Sequence, residues 1–413
     1  MIRKEVISDT LDSQNKNLNK SAPGYLRENL KNIPVIDSFA TIITGVRRCG
    51  KSTLMTQLMR NQYAKNAIFL NFEDIRLTGF EAQDFSRLHE EVVRRQVNTL
   101  FLDEVQIVPG WEIYVNQLLR EKYRVFITGS NASMLSHELG SHLTGRQISM
   151  ELFPFSYTEF LNYKKLSNRK ESVNKYLVTG GFPEYVKNSN DLILSNLLND
   201  ILIRDIAVRY AIRDIESLRK LAIYLISNVG KAVSATKLSG TFGIKSVSTT
   251  LEYFAHMQNA YLIEFLPQFS YSLKAQNRNP KKVYTVDTGL INVVSSSLSE
   301  DLGRKFENLI YLHLRRFYPK IFYFKDKGEC DFVVFDNEKV VGAVQVSYLI
   351  DDHNFDWEVN GLLEAMRAFK LKKAYLISME QEDRFTFGKE QIIMLSANKF
   401  LSNRPFQGNS STN

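Results

Sequence analysis

The chain has 413 residues, a net charge of +8, and 44% apolar and 24% charged residues, an ordinary soluble composition. This length exceeds one ordinary domain core, so we expect several domains. No apolar run approaches the ~20 residues that cross a bilayer. The polar start, Met1 to Lys20, lacks the apolar stretch of a secretory signal. The sequence therefore predicts a cytoplasmic protein with no membrane partner.

Only two cysteines are present, Cys49 and Cys330. Two free thiols fit a reducing compartment, and no spacing of Cys or His indicates a zinc site. The positive net charge favours anionic partners such as nucleic acid. Because the excess is spread over a long chain, a mildly basic protein with no such partner explains it equally well.

From residue 40 onward, short apolar strands alternate with helices. Continuous apolar strands in this arrangement are typical of a parallel sheet covered on both faces. The polar leader before them is predicted to be helical in part, over Tyr25 to Asn32, and to pack against the first domain. The predicted strands are Ala40–Thr44, Ala67–Phe72, Leu100–Leu102 and Arg124–Thr128, with a helix over Lys51–Met59.

A glycine-rich segment joins the first strand to the first helix and matches the phosphate-loop pattern at every position. Its glycines let backbone N–H groups approach a phosphate, and the helix adds its positive end. In such a loop Lys51 neutralises the β- and γ-phosphates and Ser52 places its hydroxyl on Mg²⁺. The predicted nucleotide-contacting residues are Gly45, Val46, Arg47, Arg48, Cys49, Gly50, Lys51, Ser52 and Thr53.

An apolar strand that ends in two acids, Thr99 to Glu104, is the second signal. It predicts Asp103 near the magnesium ion, where it would hold a metal-bound water. Glu104 is predicted near the γ-phosphate, where it would orient or deprotonate the attacking water. The alternative is a buried strand that merely ends in exposed acids.

The strand Arg124–Thr128 and the polar residues that follow it are the third signal. We expect this strand between the loop strand and the acid strand, so that Asn131 or Ser130 lies at the attacking water. Alternatively, Ser130 or Asn131 simply caps the next helix.

Together these signals resemble the AAA-type ATPases. Further motifs narrow the resemblance to one prokaryotic family, whose members carry an AAA-type ATPase followed by a C-terminal domain of unknown function. The resemblance implies a chain that uses ATP and Mg²⁺, with a winged helix and a nuclease-like terminal domain. The motifs are Asp103 to Gln106, Ile127 to Ser130, Leu143 to Arg146, Leu152 to Phe155, Gly180 to Pro183 and Tyr284 to Leu290.

Within these motifs, Arg146 is a candidate for an arginine that senses the γ-phosphate. It would act in its own chain or across to a neighbouring subunit, which would make the protein a homo-oligomer. The alternative is a surface arginine that fixes the turn at Gly145.

Three predicted helices, Ile215–Gly230, Ser234–Phe242 and Ser246–Asn259, are followed by strands Tyr261–Gln268 and Val283–Val286, the outline of a winged helix. Short polar groups at a helix start and a basic wing suit DNA contacts. Alternatively, the fold is a packing module and the lysines form a solvated face. The predicted DNA-contacting residues are Lys245, Ser246, Ser248, Thr249, Lys281 and Lys282.

The C-terminal part is predicted to be an α/β domain, with a helix over Lys305–Arg316. Glu307, Asp331 and the segment Gln345 to Ser347 resemble the metal site of PD-(D/E)XK nucleases. Gln345 replaces an acid there and Ser347 replaces the lysine. Two carboxylates alone hold Mg²⁺ weakly, so we expect a retained fold used for binding or assembly. The predicted strands are Ile321–Phe324, Asp331–Phe335, Val340–Gln345 and Ala374–Ile377.

The predicted fold class is α/β, with a P-loop parallel-sheet ATPase domain, a helical and winged-helix middle part and a C-terminal restriction-endonuclease-like domain. The predicted function is an ATP-driven switch that engages DNA. The alternatives are an ATP-gated nuclease that uses Glu307 and Asp331, and a nucleotide-controlled scaffold for protein assembly or signalling. The predicted segments are a leader (1–36), the ATPase core (37–152), a helical linker (153–213), the winged helix (214–290), the nuclease-like domain (291–403) and a disordered tail (404–413).

Overall fold

The computed structural model describes residues 1–20, 22–131, 145–294 and 301–406. Two compact units are present: the first is Met1–Phe153 with Asn259–Tyr261, and the second is Pro154–Gln258 with Leu262–Asn413. The six predicted segments are a finer division than these two units. Over the residues described, no helix is long and apolar enough to cross a membrane.

The first unit contains a five-stranded parallel sheet in the order β2-β3-β4-β1-β5. β1 and β3 are buried at every position, in agreement with their mainly apolar sequences. The strands are β1 (Ala40–Thr44), β2 (Ala67–Asn71), β3 (Thr99–Asp103), β4 (Arg124–Gly129) and β5 (Gln147–Glu151). The α-helices are Lys4–Lys20, Lys51–Leu58, Asp84–Arg94 and Trp111–Arg120.

The predicted parallel sheet is confirmed, and β1 to β4 lie where the apolar runs predicted them. β5 was not predicted. It pairs with β1 from Ala40 against Gln147 to Thr44 against Glu151. All five of its residues are partly or fully exposed, so this strand carries no apolar run to reveal it.

The leader packs onto the first unit through a helix that the sequence analysis missed. The long helix is Lys4–Lys20, whereas the predicted helical segment contains only a short 3-10 turn, Glu28–Asn32. Ile7 and Leu11, one helical turn apart, are fully buried in the core of the unit. The helix contains four apolar residues, Val6, Ile7, Leu11 and Leu18, in an otherwise polar run. This is a weak helical signal, which is why the prediction placed the helix wrongly.

The second unit begins with a mainly helical part that contains a three-stranded sheet, β6-β8-β7, with antiparallel pairing. The strands are β6 (Ala232–Val233), β7 (Ile263–Leu266) and β8 (Lys281–Thr285). The basic stretch predicted as a wing loop contains a short helix, Leu273–Arg278. The other helices are Tyr157–Lys164, Lys170–Thr179, Pro183–Asn188, Asp191–Asp200, Ile201–Val208, Ile215–Ser227, Ala235–Leu238, Val247–Asn259 and Thr288–Val294.

The terminal part of this unit is built on a six-stranded mixed sheet, β13-β14-β12-β11-β10-β9. The predicted α/β character is confirmed, but β13, β14 and the last two helices were not predicted. The strands are β9 (Lys320–Lys325), β10 (Glu329–Asp336), β11 (Lys339–Val346), β12 (Lys373–Ser378), β13 (Asp383–Phe387) and β14 (Glu390–Ser396). The helices are Leu302–Arg315, Phe355–Ala368 and Ala397–Leu401.

Two of the sequence motifs meet inside the second unit. The Asp287 carboxylate accepts hydrogen bonds from the backbone N–H groups of Gly181, at 2.6 Å, and Gly289, at 2.9 Å. Burial raises the pKa of Asp287 to about 7, against the lowering effect of these donors. Gly180 has a φ of +70°, and a Cβ on it would lie 1.9 Å from Asp287 Oδ1. The close approach of backbone to carboxylate therefore requires the glycine pair.

We expect Gly181→Ala to destabilise the protein by about 1–3 kcal/mol or more, the range for overpacking a filled site. The added Cβ would lie 2.3 Å from the carbonyl oxygen of Phe155, a backbone atom that cannot rotate away. Chemical denaturation of both proteins measures the effect. Gly303→Ala is the matched control, because its Cβ would meet only Asp301 Oδ1, at 3.6 Å, within a helix. Equal stability of the two variants would contradict this account.

Candidate functional site

The carboxyl ends of β1, β3 and β4 form one edge of the first sheet. β4 pairs with β1 on one side and with β3 on the other, both in parallel. This confirms the predicted placement of the third signal between the loop strand and the acid strand. Side chains that follow these three strands are therefore brought together at one edge.

The loop after β1 has the conformation that its glycines permit. Gly45 has a φ of +137° and Gly50 a φ of +105°, both outside the range that other residues readily adopt. A Cβ on Gly45 would lie 2.2 Å from the carbonyl oxygen of Leu152. The loop therefore depends on glycine at this position for its packing as well as for its backbone angles.

Lys51 begins the helix Lys51–Leu58 and is 5% exposed. Its ammonium donates to the carbonyl oxygens of Gly45, at 2.9 Å, and Val46, at 3.1 Å, so it lies inside the curve of the loop. Cys49 is buried as well, and burial raises the pKa of its thiol.

The other predicted loop residues lie further out. Arg47 is half-buried with its guanidinium 4.0 Å from the Glu73 carboxylate, whereas Arg48 is exposed with a φ of +62°. Ser52 is exposed and Thr53 half-buried in the first turn of the helix.

Asp103, the last residue of β3, is fully buried and connects the loop, β2 and β4. It accepts hydrogen bonds from the Ser52 hydroxyl at 3.1 Å, from the Asn71 amide at 2.9 Å and from the Thr128 hydroxyl. Burial raises the pKa of Asp103 to about 6, with a smaller contribution from Glu104. The pair of oxygen ligands predicted for Mg²⁺, Ser52 and Asp103, is thus in direct contact.

Glu104 follows β3 in the left-handed region, with a φ of +54°. Its backbone N–H donates to the Thr128 hydroxyl at 3.1 Å, and the Gln106 amide donates to its carboxylate. Thr128 therefore contacts both neighbouring acids. In the sequence, Thr128 ends the predicted strand, and the polar role was predicted for Ser130 or Asn131, because the order of residues does not show which side chain faces β3.

Of the two remaining predicted groups, Asn131 is fully buried just after β4. Arg146 has an exposed side chain, and its carbonyl oxygen accepts from the backbone N–H of Ala40 at 3.0 Å. Residues 143 and 144 of its motif lie outside the described residues. The roles of Asn131 and Arg146 toward a nucleotide remain predictions.

Arg27 is a buried residue of the leader that sequence reasoning missed. Its guanidinium donates to the carbonyl oxygens of Cys49, at 2.7 Å, and Phe153, at 2.8 Å. It is 4% exposed and holds the outer side of the phosphate loop. No pattern in the polar leader distinguishes this arginine from its neighbours.

The residues predicted to contact DNA differ in their exposure in the structure. Lys245 and Ser248 are exposed at the start of the helix Val247–Asn259. The Ser246 hydroxyl accepts from the Thr249 backbone N–H at 3.1 Å, so it caps the helix. Lys281, on β8, is half-buried.

The prediction that Lys282 lies on an exposed wing is wrong. This lysine is 4% exposed, and its ammonium contacts the carboxylates of Glu307 and Asp331 at 3.0 and 2.8 Å. Alternation along β8 places neighbouring lysines on opposite faces of the strand. Glu307 and Asp331 are thereby brought together, as the nuclease resemblance implied, but around a lysine. Over the described ranges, no group of three or more His, Cys, Asp or Glu side chains is arranged to hold a metal ion.

We expect Asp103→Asn to stabilise the ligand-free protein above pH 6. The pKa of the Asp103 carboxyl is raised from its ordinary value of 3.8 to about 6 in the folded protein. Ionisation of this carboxyl therefore lowers the stability of the folded state. The loss is absent below pH 3.8 and complete above pH 6. This pKa shift corresponds to at most about 3 kcal/mol in the free energy of unfolding.

Urea denaturation at pH 8 and at pH 4 measures this difference. The control is Asp37→Asn, whose side chain is 88% exposed. A gain in stability that is no larger at pH 8 than at pH 4 would contradict the assigned cause.

Two family models match the chain. Residues 37–161 match an AAA domain, and residues 170–301 match a domain of unknown function. The first match covers the described sheet and the loop, and the second covers the helical part of the second unit.

Two relatives, each described only as an uncharacterized protein, match over most of their length. One, from Methanocaldococcus jannaschii, is 29% identical over 98% of this chain and 95% of its own. The other, from Haemophilus influenzae, is 31% identical over 80% of this chain and 88% of its own.

Parts of several solved structures are similar to this chain. AMPPCP-bound DnaA from Aquifex aeolicus is 18% identical, over 56% of this chain and 85% of its own, with a TM-score of 0.28. Cdc6p from Pyrobaculum aerophilum is 11% identical, over 62% of this chain and 86% of its own, with a TM-score of 0.25. Such low scores carry no argument about function. The loop, the acid strand, the strand order and the AAA match agree: residues 37–161 form an AAA-type P-loop ATPase domain, and the chain belongs to the protein family of the Haemophilus influenzae relative.

Proposed function

We propose that this protein binds Mg-ATP at the edge of the first sheet, hydrolyses it, and uses the cycle to control its engagement with DNA. The observation that carries the first part is the contact between Ser52 and Asp103 beside a loop that encloses the Lys51 ammonium. Lys51 and Ser52 come from the first turn of the helix Lys51–Leu58, and Asp103 comes from the end of β3. Together they offer a cation for the phosphates and two oxygen ligands for Mg²⁺.

The residues present fit the nucleotide and its metal ion. Lys51 is a buried cation whose present partners are neutral carbonyl groups, so it is suited to an anionic phosphate. The Ser52 hydroxyl and the Asp103 carboxylate supply the hard oxygen ligands that Mg²⁺ prefers. When bound, Mg²⁺ neutralises charge on the phosphate oxygens.

Glu104 is the group that orients and deprotonates the attacking water in this proposal. Its backbone is held by Thr128 and its carboxylate by Gln106. Because the side chain is only half-buried, water can reach it. Asn131, buried behind the same edge, is proposed to help orient that water, and Arg146 to respond to the terminal phosphate of its own or a neighbouring subunit.

The nuclease alternative is less well supported than the ATPase. Its two acids, Glu307 and Asp331, both contact the Lys282 ammonium, and Gln345 stands where the nuclease pattern needs a third acid. The scaffold alternative predicts nucleotide binding without appreciable turnover, which the following measurement distinguishes.

We expect Lys51→Ala to lose ATP binding and Glu104→Gln to retain binding while turnover falls by about 10²–10⁴-fold, the range for loss of a general base. Binding is measured by titration with a fluorescent ATP analogue and turnover by steady-state phosphate release.

Lys65→Ala and Glu90→Gln are matched controls, since both side chains are exposed on the first unit. If Glu104→Gln hydrolyses ATP at the normal rate, the role assigned to Glu104 is wrong. If the unaltered protein binds ATP without turnover, the scaffold alternative is favoured.

The proposed DNA surface consists of Lys245, Ser248 and Lys281 on the second unit. Support comes from exposure of Lys245 and Ser248 at the start of one helix, and from the net charge of +8. Lys274 and Arg278, exposed on the short helix before β8, extend the basic surface. Lysine contacts of this kind bind the phosphate backbone with little dependence on base sequence.

We expect Lys245→Ala with Lys281→Ala to weaken binding to duplex DNA at 50 mM salt by about tenfold or more and to reduce the salt dependence of binding. Fluorescence anisotropy with a labelled duplex measures both quantities. Lys187→Ala, an exposed lysine elsewhere on the second unit, is the control. Unchanged affinity in the double variant would remove this surface from the proposal and leave the ATPase assignment intact.

A further inference from the structure

The polar leader reaches the phosphate loop through one buried arginine. The Arg27 guanidinium donates through Nη1 to the carbonyl oxygen of Cys49, at 2.7 Å, and through Nη2 to that of Phe153, at 2.8 Å. Cys49 belongs to the loop, and Phe153 follows β5, an edge strand of the first sheet. Since the donors of a guanidinium form a rigid planar fork, its two bonds fix these two backbone segments relative to each other.

The backbone around Arg27 is held by the helix that follows the loop. Gln57, on the helix Lys51–Leu58, is 2% exposed. Its amide donates to the carbonyl oxygens of Pro23, at 2.8 Å, and Tyr25, at 2.7 Å, and its Oε1 accepts from the backbone N–H of Arg27 at 3.3 Å. This part of the leader is therefore docked on the same helix that carries the nucleotide-binding lysine.

The carbonyl groups of the phosphate loop point in two directions. Those of its first two residues accept from the Lys51 ammonium inside the curve of the loop. That of Cys49 accepts from Arg27 on the outer side. Because a trans peptide unit is planar, its C=O and N–H groups point in opposite directions. The bond to Arg27 therefore directs the N–H of the next residue, Gly50, toward the inside of the loop.

The Gly50 N–H is one of the groups with which a phosphate loop holds its anion, because such loops bind phosphate through successive backbone N–H groups. The Arg27 guanidinium also packs against this residue. Gly50 has a φ of +105°, and a Cβ on it would lie 3.1 Å from Arg27 Nη1. The arginine thus contacts the same peptide unit whose direction it fixes.

We propose that Arg27 is a positioning residue of the nucleotide site, which turns the peptide between Cys49 and Gly50 so that its N–H faces the phosphates. This inference rests on the proposed binding of ATP. Arg27 acts through that peptide and does not itself touch the nucleotide. The leader thereby contributes to phosphate affinity, although the whole phosphate-loop pattern lies after it in the chain.

Arg27→Met tests this role, because methionine keeps an extended apolar side chain and removes the N–H donors. We expect the affinity for ATP to fall about tenfold or more, the range for one lost hydrogen bond to a charged group. The affinity for adenosine, which has no phosphate, should stay unchanged. Displacement of a fluorescent ATP analogue from the full chain measures both. Arg87→Met is the matched control and should keep both affinities, since the Arg87 guanidinium donates to Ile2, at the other end of the leader.

Alkylation of the Cys49 thiol by N-ethylmaleimide gives a second measurement, made without nucleotide. Cys49 and Cys330 are both fully buried, and mass spectrometry distinguishes the two labelled sites. We expect Arg27→Met to raise the rate at Cys49 about tenfold, because this rate follows the free energy of local opening. The rate at Cys330, in the second unit, is the internal reference and should not change. Arg87→Met should leave both rates at their parental values.

Parental ATP affinity in a folded Arg27→Met would overturn the inference. An equal loss of ATP and adenosine affinity would overturn it too, as would an equal loss of ATP affinity in Arg87→Met, since each indicates only a general structural role. If the unaltered protein binds no ATP, the proposed function fails. The alkylation rates then decide separately whether Arg27 holds the loop, and an unchanged rate at Cys49 contradicts that role.

If Arg27→Met does not fold, Arg27→Lys is compared with Arg87→Lys. Lysine keeps the positive charge but cannot reproduce the planar fork of an arginine. Weaker ATP binding by Arg27→Lys alone, with unchanged adenosine binding, supports the inference. Parental ATP binding by Arg27→Lys contradicts it.

Discussion

The Asp103 carboxylate is the interaction on which the nucleotide site depends. It lies at the end of β3, fully buried, and three hydrogen-bond donors from the phosphate-loop helix, β2 and β4 converge on it. These donors meet only because the sheet order places β4 between β1 and β3. Burial raises the pKa of this carboxylate to about 6, against the lowering effect of its Thr128 and Ser52 donors. The same environment suits a magnesium ion, so stability and function make opposite demands on this residue.

How far the sequence could predict this structure depended on the kind of signal. The phosphate loop and strands β1 to β4 were predictable, because glycine spacing and unbroken apolar runs are local patterns. Strand β5 was not predictable from the sequence, because its residues are partly exposed and form no apolar run. The structural role of Arg27 was missed because it depends on hydrogen bonds to two carbonyl oxygens that are distant in sequence, those of Cys49 and Phe153. Such contacts depend on tertiary structure and leave no mark in the leader.

The second unit illustrates the same limit in its charged residues. Lys281 and Lys282 look equivalent in the sequence, yet only Lys282 is buried among carboxylates. Glu307 and Asp331, which the nuclease resemblance named, both contact Lys282, whereas Glu329 carried no motif. Asp287 is another buried acid of this unit, held by the backbone N–H groups of Gly181 and Gly289. In each case a distant partner compensates a charge whose burial would otherwise be costly.

We propose that the edge formed by β1, β3 and β4 is a working ATPase site. The most direct measurement is phosphate release from ATP by the purified full chain, with Mg²⁺ and again with the metal removed by a chelator. We expect turnover that saturates with ATP and disappears without Mg²⁺. Turnover that persists without Mg²⁺, or no turnover at any ATP concentration with Mg²⁺ present, would contradict it.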